Sequence, residues 1–101
     1  MIIERLSFQA KYGMGDALVQ VLRESRAMDQ ARNLHPRLLT DATGAMFRVI
    51  LETEHDDMQA LARAGLDNAA NFATQEFQDW FARMQPLVER GERELLQVVD
   101  L

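Results

Sequence analysis

The chain opens with an alternation of apolar and polar side chains. Within residues 2–10, Ile2, Leu6 and Phe8 fall on one face at a period of two, while polar residues occupy the other face. The glycines and the aspartate of 13–16 then supply the residue types that end a strand and open a helix. The pattern therefore predicts a first strand over 2–10 that leads directly into a helix.

A β-hairpin is predicted near the middle of the chain. Residues 37–41 form a short strand, and 41–44 have the composition of a tight loop that includes a glycine. Residues 45–54 alternate again, with one strongly apolar face and one mixed face. Further along, apolar residues on both faces of 92–101 predict a last strand.

Two helical regions separate these strands. Apolar residues recur at three- and four-residue steps over about 15–31, and a proline shortly afterwards stops the helix. After the hairpin, acidic residues open a short helix over about 56–63. A second apolar stripe begins at Ala73, is interrupted by Pro86 and is expected to end at Gly91.

The predicted order is strand, helix, strand, strand, interrupted helix, strand. This βαββαβ order is typical of the ferredoxin-like α+β sandwich, an antiparallel sheet with its helices on one face. The opposite face would expose Ile3, Ile50 and either Leu95 or Leu96, and a second copy of the sheet is the simplest cover. We therefore expect a single domain over 1–101 that forms a homodimeric α/β barrel.

Composition narrows the chemistry and the partners. The chain has 101 residues and a net charge of −5, so nucleic acid and anionic membranes are disfavoured as partners. The absence of cysteine excludes disulfides, thiolate metal sites and a cysteine nucleophile. Neither a signal-peptide core nor an apolar run of bilayer length is present, so we expect a cytoplasmic protein without a membrane partner.

Four segments together resemble a known superfamily over nearly the whole chain. They are Tyr12-Gly13-Met14-Gly15-Asp16, Leu51-Glu52-Thr53-Glu54, Phe77-Gln78-Asp79-Trp80 and Pro86-Leu87-Val88-Glu89-Arg90-Gly91. With them the sequence resembles the dimeric α/β-barrel superfamily, and within it the NIPSNAP-like group. The resemblance implies a face-to-face dimer of sheets and a ligand cleft between sheet and helices, but no defined activity.

Enzymes of the same superfamily include cofactor-independent monooxygenases of antibiotic biosynthesis and haem-degrading monooxygenases. The haem-degrading type combines an asparagine, a tryptophan and a helix-borne histidine. Here the first strand lacks asparagine, the single tryptophan is Trp80, and neither His35 nor His55 falls within a predicted helix. This departure predicts that no haem is used, and we expect no cofactor.

Six side chains are candidates for a ligand site. Tyr12 follows the first strand, where loop residues often line clefts, although its ring could equally pack at the sheet edge. Arg48 could hold a ligand carboxylate, but an ion pair across the sheet or the dimer interface is the favoured interpretation. The spacing of Phe77, Trp80 and Met84 favours a core stripe that could also serve as a stacking wall. His55 is the sixth, and both His55 and Tyr12 are candidates for a catalytic role.

The densest group of possible metal ligands is Glu52-Thr53-Glu54-His55-Asp56-Asp57. Acidic residues at a strand-to-helix junction are better explained as helix caps, so we expect no metal site. His35 precedes a proline and is expected to be a solvated turn residue. No phosphate-binding loop, dinucleotide fingerprint or Ser-His-Asp order occurs.

Two functions remain open, and the sequence does not decide whether the protein is an enzyme. The leading hypothesis is an uncharacterised homodimer that binds a small, partly apolar molecule between sheet and helices. The alternative is a cofactor-independent monooxygenase or isomerase acting on an aromatic or polyketide-like substrate. An enzyme should have a cavity that holds Tyr12, His55 or Arg48 together. A structural protein should instead fill that space with Phe77, Trp80 and Met84. A module that binds a partner through its acidic surface would instead have no cavity and a conspicuous exposed patch.

Overall fold

A computed structural model describes all residues from 1 to 101. The chain forms four strands and four helices in the predicted order, with one short 3₁₀ turn before the last strand. The elements are β1 (Ile2–Ala10), α1 (Gly15–Glu24), α2 (Arg26–Ala31), β2 (Arg37–Thr40), β3 (Arg48–His55), α3 (Met58–Phe72), α4 (Gln75–Met84), the 3₁₀ turn (Gln85–Leu87) and β4 (Val88–Gln97).

The four strands form one antiparallel sheet in the order β2-β3-β1-β4. Its two central strands are paired so that Leu6 lies opposite Leu51 and Phe8 lies opposite Val49. These side chains share the face that the helices cover, since directly opposite residues of antiparallel strands point to the same side. The predicted ferredoxin-like α+β fold is confirmed.

The core lies between this face of the sheet and the helices. Leu18 of α1 and Val49 of β3 are the largest fully buried side chains. The core cluster around them is Ala10, Leu18, Leu22, Met28, Val49, Trp80 and Met84. None of the helices combines the length and the apolar content needed to cross a bilayer.

The helix predicted over 15–31 is broken at Ser25. The Ser25 N–H bonds to the Leu22 carbonyl at 3.2 Å, and the Ser25 hydroxyl donates to the same oxygen at 2.7 Å. One residue earlier, the Val21 carbonyl accepts from the indole Nε1 of Trp80 at 2.7 Å. The side chains of Ser25 and Trp80 thus donate to carbonyls that would accept backbone hydrogen bonds in a continuous helix. Serine often interrupts helices in this way.

Helix α3 is longer than predicted. The sequence predicted a short helix over 56–63 because Gly65, Asn68 and Asn71 weaken the pattern. In the structure the helix continues to Phe72, with the side chain of Asp57 capping its start by accepting from the Ala60 N–H at 2.8 Å. Tertiary packing overrides the low helix propensity of these residues.

The boundaries predicted for two strands were wrong. The strand predicted over 45–54 begins only at Arg48, because Phe47 has a positive φ of 62° that a regular strand cannot contain. The last strand starts at Val88 and ends at Gln97, so Gly91 lies within it and does not close a helix. Gly91 is paired with Phe8, and an added Cβ would lie 3.4 Å from the Phe8 ring.

The other face of the sheet carries no helix. Register places Ile3 opposite Leu96, and Ile50 opposite both Ser7 and Leu39, on this open face. Leu95 is paired with Glu4 on the helix side, so Leu96 and not Leu95 is the apolar residue of β4 on the open face. The open face therefore mixes apolar side chains with charged ones.

Candidate ligand-binding site

A cavity of 270 Å³ lies between the sheet and the helices. Its lining comprises 19 residues, of which 11 are hydrophobic. Four other hollows, with volumes from 270 to 520 Å³, are lined mainly by polar residues. Small-molecule sites are typically concave and mostly apolar, with a few polar groups, so this central cavity is the candidate site.

Aromatic rings form one wall of the cavity. Phe77 is at their centre, with ring centroids 4.6 Å from Phe72, 5.6 Å from Trp80 and 5.8 Å from Phe81. Trp80 is fixed by its hydrogen bond to α1, and Met84 lines the cavity one turn further along α4. The structure thus brings Phe77, Trp80 and Met84 together, as their spacing predicted.

A buried ion pair interrupts this apolar lining. Arg32 follows the last residue of α2 and donates from Nη2 to Oδ1 of Asp29 at 2.9 Å. Both side chains are largely buried, with exposed fractions of 17% and 14%. Burial raises the pKa of Asp29, although the charge of Arg32 and the hydrogen bond from the Ser25 hydroxyl partly offset that effect.

The remaining donors of Arg32 have no partner. Its Nε and Nη1 atoms are both buried, and neither forms a hydrogen bond within the protein. A guanidinium offers five N–H donors in a fixed plane, so the bond to Asp29 leaves several of them available. Because the residue lines the cavity, Arg32 is the basic group that a bound molecule would meet.

Further polar groups line the cavity from the sheet and from α3. Glu4 of β1 is one of them, and its carboxylate is already paired with Arg93 of β4. Thr53 of β3 and the amide side chains of Asn68 and Asn71 complete this set. Because asparagine has a low helix propensity, Asn68 and Asn71 contribute to the weak helical pattern of α3 in the sequence.

The structure does not bring Tyr12, Arg48 and His55 together. Tyr12 is 78% exposed and packs edge-on against Phe47, with ring centroids 5.0 Å apart. Arg48 is exposed beside Ser7 on the open face, and it forms no ion pair within the chain. His55 is buried opposite Ile2 at the end of β3, and its Nε2 atom has no hydrogen-bond partner. None of the three lines the central cavity, and their roles stay predictions.

The acidic junction separates into different environments. Glu52 is on the open face, where it accepts from Nη2 of Arg37 at 2.6 Å and from Nε of Arg5 at 2.7 Å. These two bonds lower the pKa of the Glu52 carboxyl, the bond from Arg37 contributing most. Asp57 caps α3, as the capping explanation predicted, and no three histidine or acidic side chains come together as metal ligands.

Sequence reasoning missed Arg32, Asp29 and the two asparagines. Asp29 and Arg32 fall near the end of the helix predicted over 15–31, where charged residues are usually solvated. Their spacing of three residues was the available signal, since residues three apart meet on one helix face. His35 is exposed in the loop that follows, as predicted.

Comparison with known proteins shows what this arrangement resembles. No family model matches the sequence, and no curated protein is similar to it in sequence. Solved structures do match its fold. An uncharacterized NIPSNAP domain protein from Burkholderia xenovorans has a TM-score of 0.80 at 19% identity, over 98% of this chain and 95% of that chain.

Two further structures extend the comparison. A NIPSNAP family protein from Agrobacterium tumefaciens has a TM-score of 0.78 at 22% identity, over 98% of this chain and 93% of that chain. An antibiotic biosynthesis monooxygenase has a TM-score of 0.68 at 17% identity, over 99% of this chain and 100% of that chain. The chain therefore has the fold of NIPSNAP proteins and of antibiotic biosynthesis monooxygenases, and the resemblance seen in its sequence is confirmed at the level of the fold.

Proposed function

We propose that this protein is a homodimer that binds a small, partly apolar molecule in the cavity between its sheet and its helices. The cavity carries the proposal, because its lining is mostly apolar and includes a small number of defined polar groups. Its volume of 270 Å³ corresponds to about nine water-sized groups at ~30 Å³ each, so the ligand is a compact molecule.

The walls of this cavity are held in place by the fold itself. Trp80 is fixed to α1 by its indole hydrogen bond, and Thr74 caps α4 by accepting from the Phe77 N–H at 3.2 Å. The opposite wall is formed by the two central strands, through Leu6 and Leu51. A cavity with fixed walls costs little further ordering when a ligand enters, which favours binding.

The single tryptophan makes the binding test direct. Apolar compounds of suitable size should change Trp80 emission saturably, because the ring lines the cavity. Thr53→Ile adds a bulkier apolar side chain to the cavity and should weaken binding, whereas Thr40→Ile is the matched control on exposed β2. If no compound changed the emission, or if both variants bound as well as the wild type, the proposal would fail.

The dimer in this proposal uses the open face of the sheet. Ile3, Leu39, Ile50 and Leu96 would otherwise remain partly exposed there, next to the arginines that pair with Glu52. A second copy would bury these side chains against their counterparts. Sedimentation should give twice the protomer mass of 11.6 kDa, and Ile50→Glu should lower it. A wild-type monomer at micromolar concentration would contradict the dimer.

A second candidate function is supported by the fold shared with an antibiotic biosynthesis monooxygenase. A cofactor-independent oxygenase or isomerase needs a group that removes a proton from its substrate. The cavity holds no histidine or tyrosine, and its carboxyl groups are Asp29 and Glu4. Oxygen consumption with a bound aromatic compound, abolished by Asp29→Asn, would favour the enzyme over a carrier. Binding without turnover would favour the carrier.

A further inference from the structure

The polar end of the cavity contains more hydrogen-bond donors than the protein uses. Arg32 is 17% exposed, and only its Nη2 atom has a partner, Oδ1 of Asp29. The buried Nε and Nη1 atoms form no hydrogen bond. Leaving buried donors unpaired is costly, so a molecule gains affinity if Arg32 turns these solvent-inaccessible donors toward an acceptor on it.

The acidic groups around Arg32 do not use these donors. Asp29 takes one bond from Arg32, and its other oxygen lies 3.4 Å from the Ser25 hydroxyl. The second carboxylate lining the cavity, Glu4, is paired with Arg93 from the edge strand. Arg32 is the only basic residue among those that line the cavity. The unmatched groups at this end of the cavity are therefore donors on a cation.

The rest of the lining fits a hydrocarbon or an aromatic ring. Phe77, Phe72 and Leu51 supply the apolar surface, and the cavity offers room for about nine non-hydrogen atoms at the volume of one water each. A ligand that matches both parts has an apolar body and one acceptor head. An ionised head forms charge-assisted hydrogen bonds with a guanidinium, which are about twice as strong as neutral ones.

We infer that the cavity binds a small amphiphilic carboxylate, such as a medium-chain fatty acid or an aryl-substituted acid, with its carboxylate accepting from Arg32. This inference rests on the proposed binding function and adds the chemical class of the ligand. Arg32 sets the specificity for the head, and the aromatic wall around Phe77 accepts the tail.

Matched ligands separate the head from the tail. Octanoate, octanamide and octylamine share one alkyl chain and differ only in the head group. Calorimetry and Trp80 emission should show that the wild type binds octanoate at least about tenfold more tightly than octanamide, with octylamine weakest. Equal affinity for octanoate and octanamide would overturn the assignment of Arg32 while leaving the cavity as a binding site. Failure of all three to bind would instead count against the proposed function.

Variants then test the residue itself. Arg32→Gln should reduce the preference for octanoate over octanamide to less than about twofold while octanamide affinity stays the same. Arg63→Gln removes a charge from the exposed surface of α3 and should keep the full preference. If the preference persisted in Arg32→Gln, the carboxylate would be held elsewhere and the inference would be wrong.

A measurement on the wild type avoids dependence on a variant that folds poorly. The side-chain Nε–H signal of Arg32 in a nitrogen-15 NMR spectrum should shift on titration with octanoate and much less with octanamide. The Nε–H signal of Arg63 should not shift with either ligand. If the Arg32 signal did not shift with octanoate under conditions where calorimetry showed binding, the assignment would be refuted.

Discussion

Replacing Trp80 with phenylalanine should destabilise the fold through a single hydrogen bond. The indole Nε1 donates to the Val21 carbonyl at 2.7 Å, at the point where α1 ends. The last carbonyls of a helix have no partner in the helix, and Ser25 takes only the Leu22 carbonyl. In Trp80→Phe the Val21 carbonyl therefore loses its partner.

The size of the effect follows from burial. Trp80 is 9% exposed and Val21 is partly buried, so the orphaned carbonyl costs about 1–3 kcal/mol. The ring atoms that phenylalanine lacks add about 1 kcal/mol of lost apolar burial. The free energy of unfolding should fall by about 2–4 kcal/mol, which lowers the melting temperature by at least about 8 °C in a chain of this size.

Urea and thermal unfolding followed by circular dichroism at 222 nm measure this change without the tryptophan. Wild type and variant must be compared at one protein concentration, because the stability of the proposed dimer would depend on it. Phe72→Leu, on the same wall but without a hydrogen bond, is the control and should cost less than about 1 kcal/mol, since Phe72 is 52% exposed. A Trp80→Phe variant within about 0.5 kcal/mol of wild type would refute the capping argument.

Three other changes test the packing and the electrostatics. Glu52→Gln should lower the urea midpoint at pH 7, and by progressively less as the pH is lowered into the acidic range, because the bonds from Arg37 and Arg5 lower the pKa of Glu52. That stabilisation is complete above the unfolded value of ~4.3 and is lost as the pH falls through the lower folded value. Gly65→Ala in α3 should raise stability by about 0.5–1 kcal/mol, since nothing lies within 4 Å of the added Cβ. Leu18→Ala should cost about 2–5 kcal/mol in chemical denaturation, because Leu18 is fully buried.

The order of the elements and the helix-facing residues of the sheet were predictable because they depend on local periodicity. Leu6 and Phe8 alternate with polar residues along β1. In the structure both lie on the face of the sheet that the helices cover. The break at Ser25 was only partly predictable, since the Ser25 bonds to Leu22 are local but the bond to the Val21 carbonyl comes from Trp80, 59 residues away. Gly91 was misplaced because glycine commonly follows a helix end, whereas here it lies within β4 opposite Phe8 of β1.

The candidate site was only partly predictable for a related reason. Phe77, Trp80 and Met84 were found because residues at helical spacing share a face. Tyr12 and His55 were selected because their side chains can take part in catalysis. The type of a side chain does not predict whether the fold places it in the cavity. Arg32 was missed because its burial depends on the helices and the loop that close over it, not on its neighbours in sequence.

The central claim is that the cavity between sheet and helices binds the apolar body of a small molecule. Intermolecular NOEs between octanoate methylene protons and protein ring protons test it most directly. We expect contacts to the rings of Phe77 and Trp80 and none to Tyr12, which is 78% exposed and outside the cavity. Contacts to Tyr12 or to the exposed end of the chain at Val99, without contacts to Phe77 and Trp80, would contradict it.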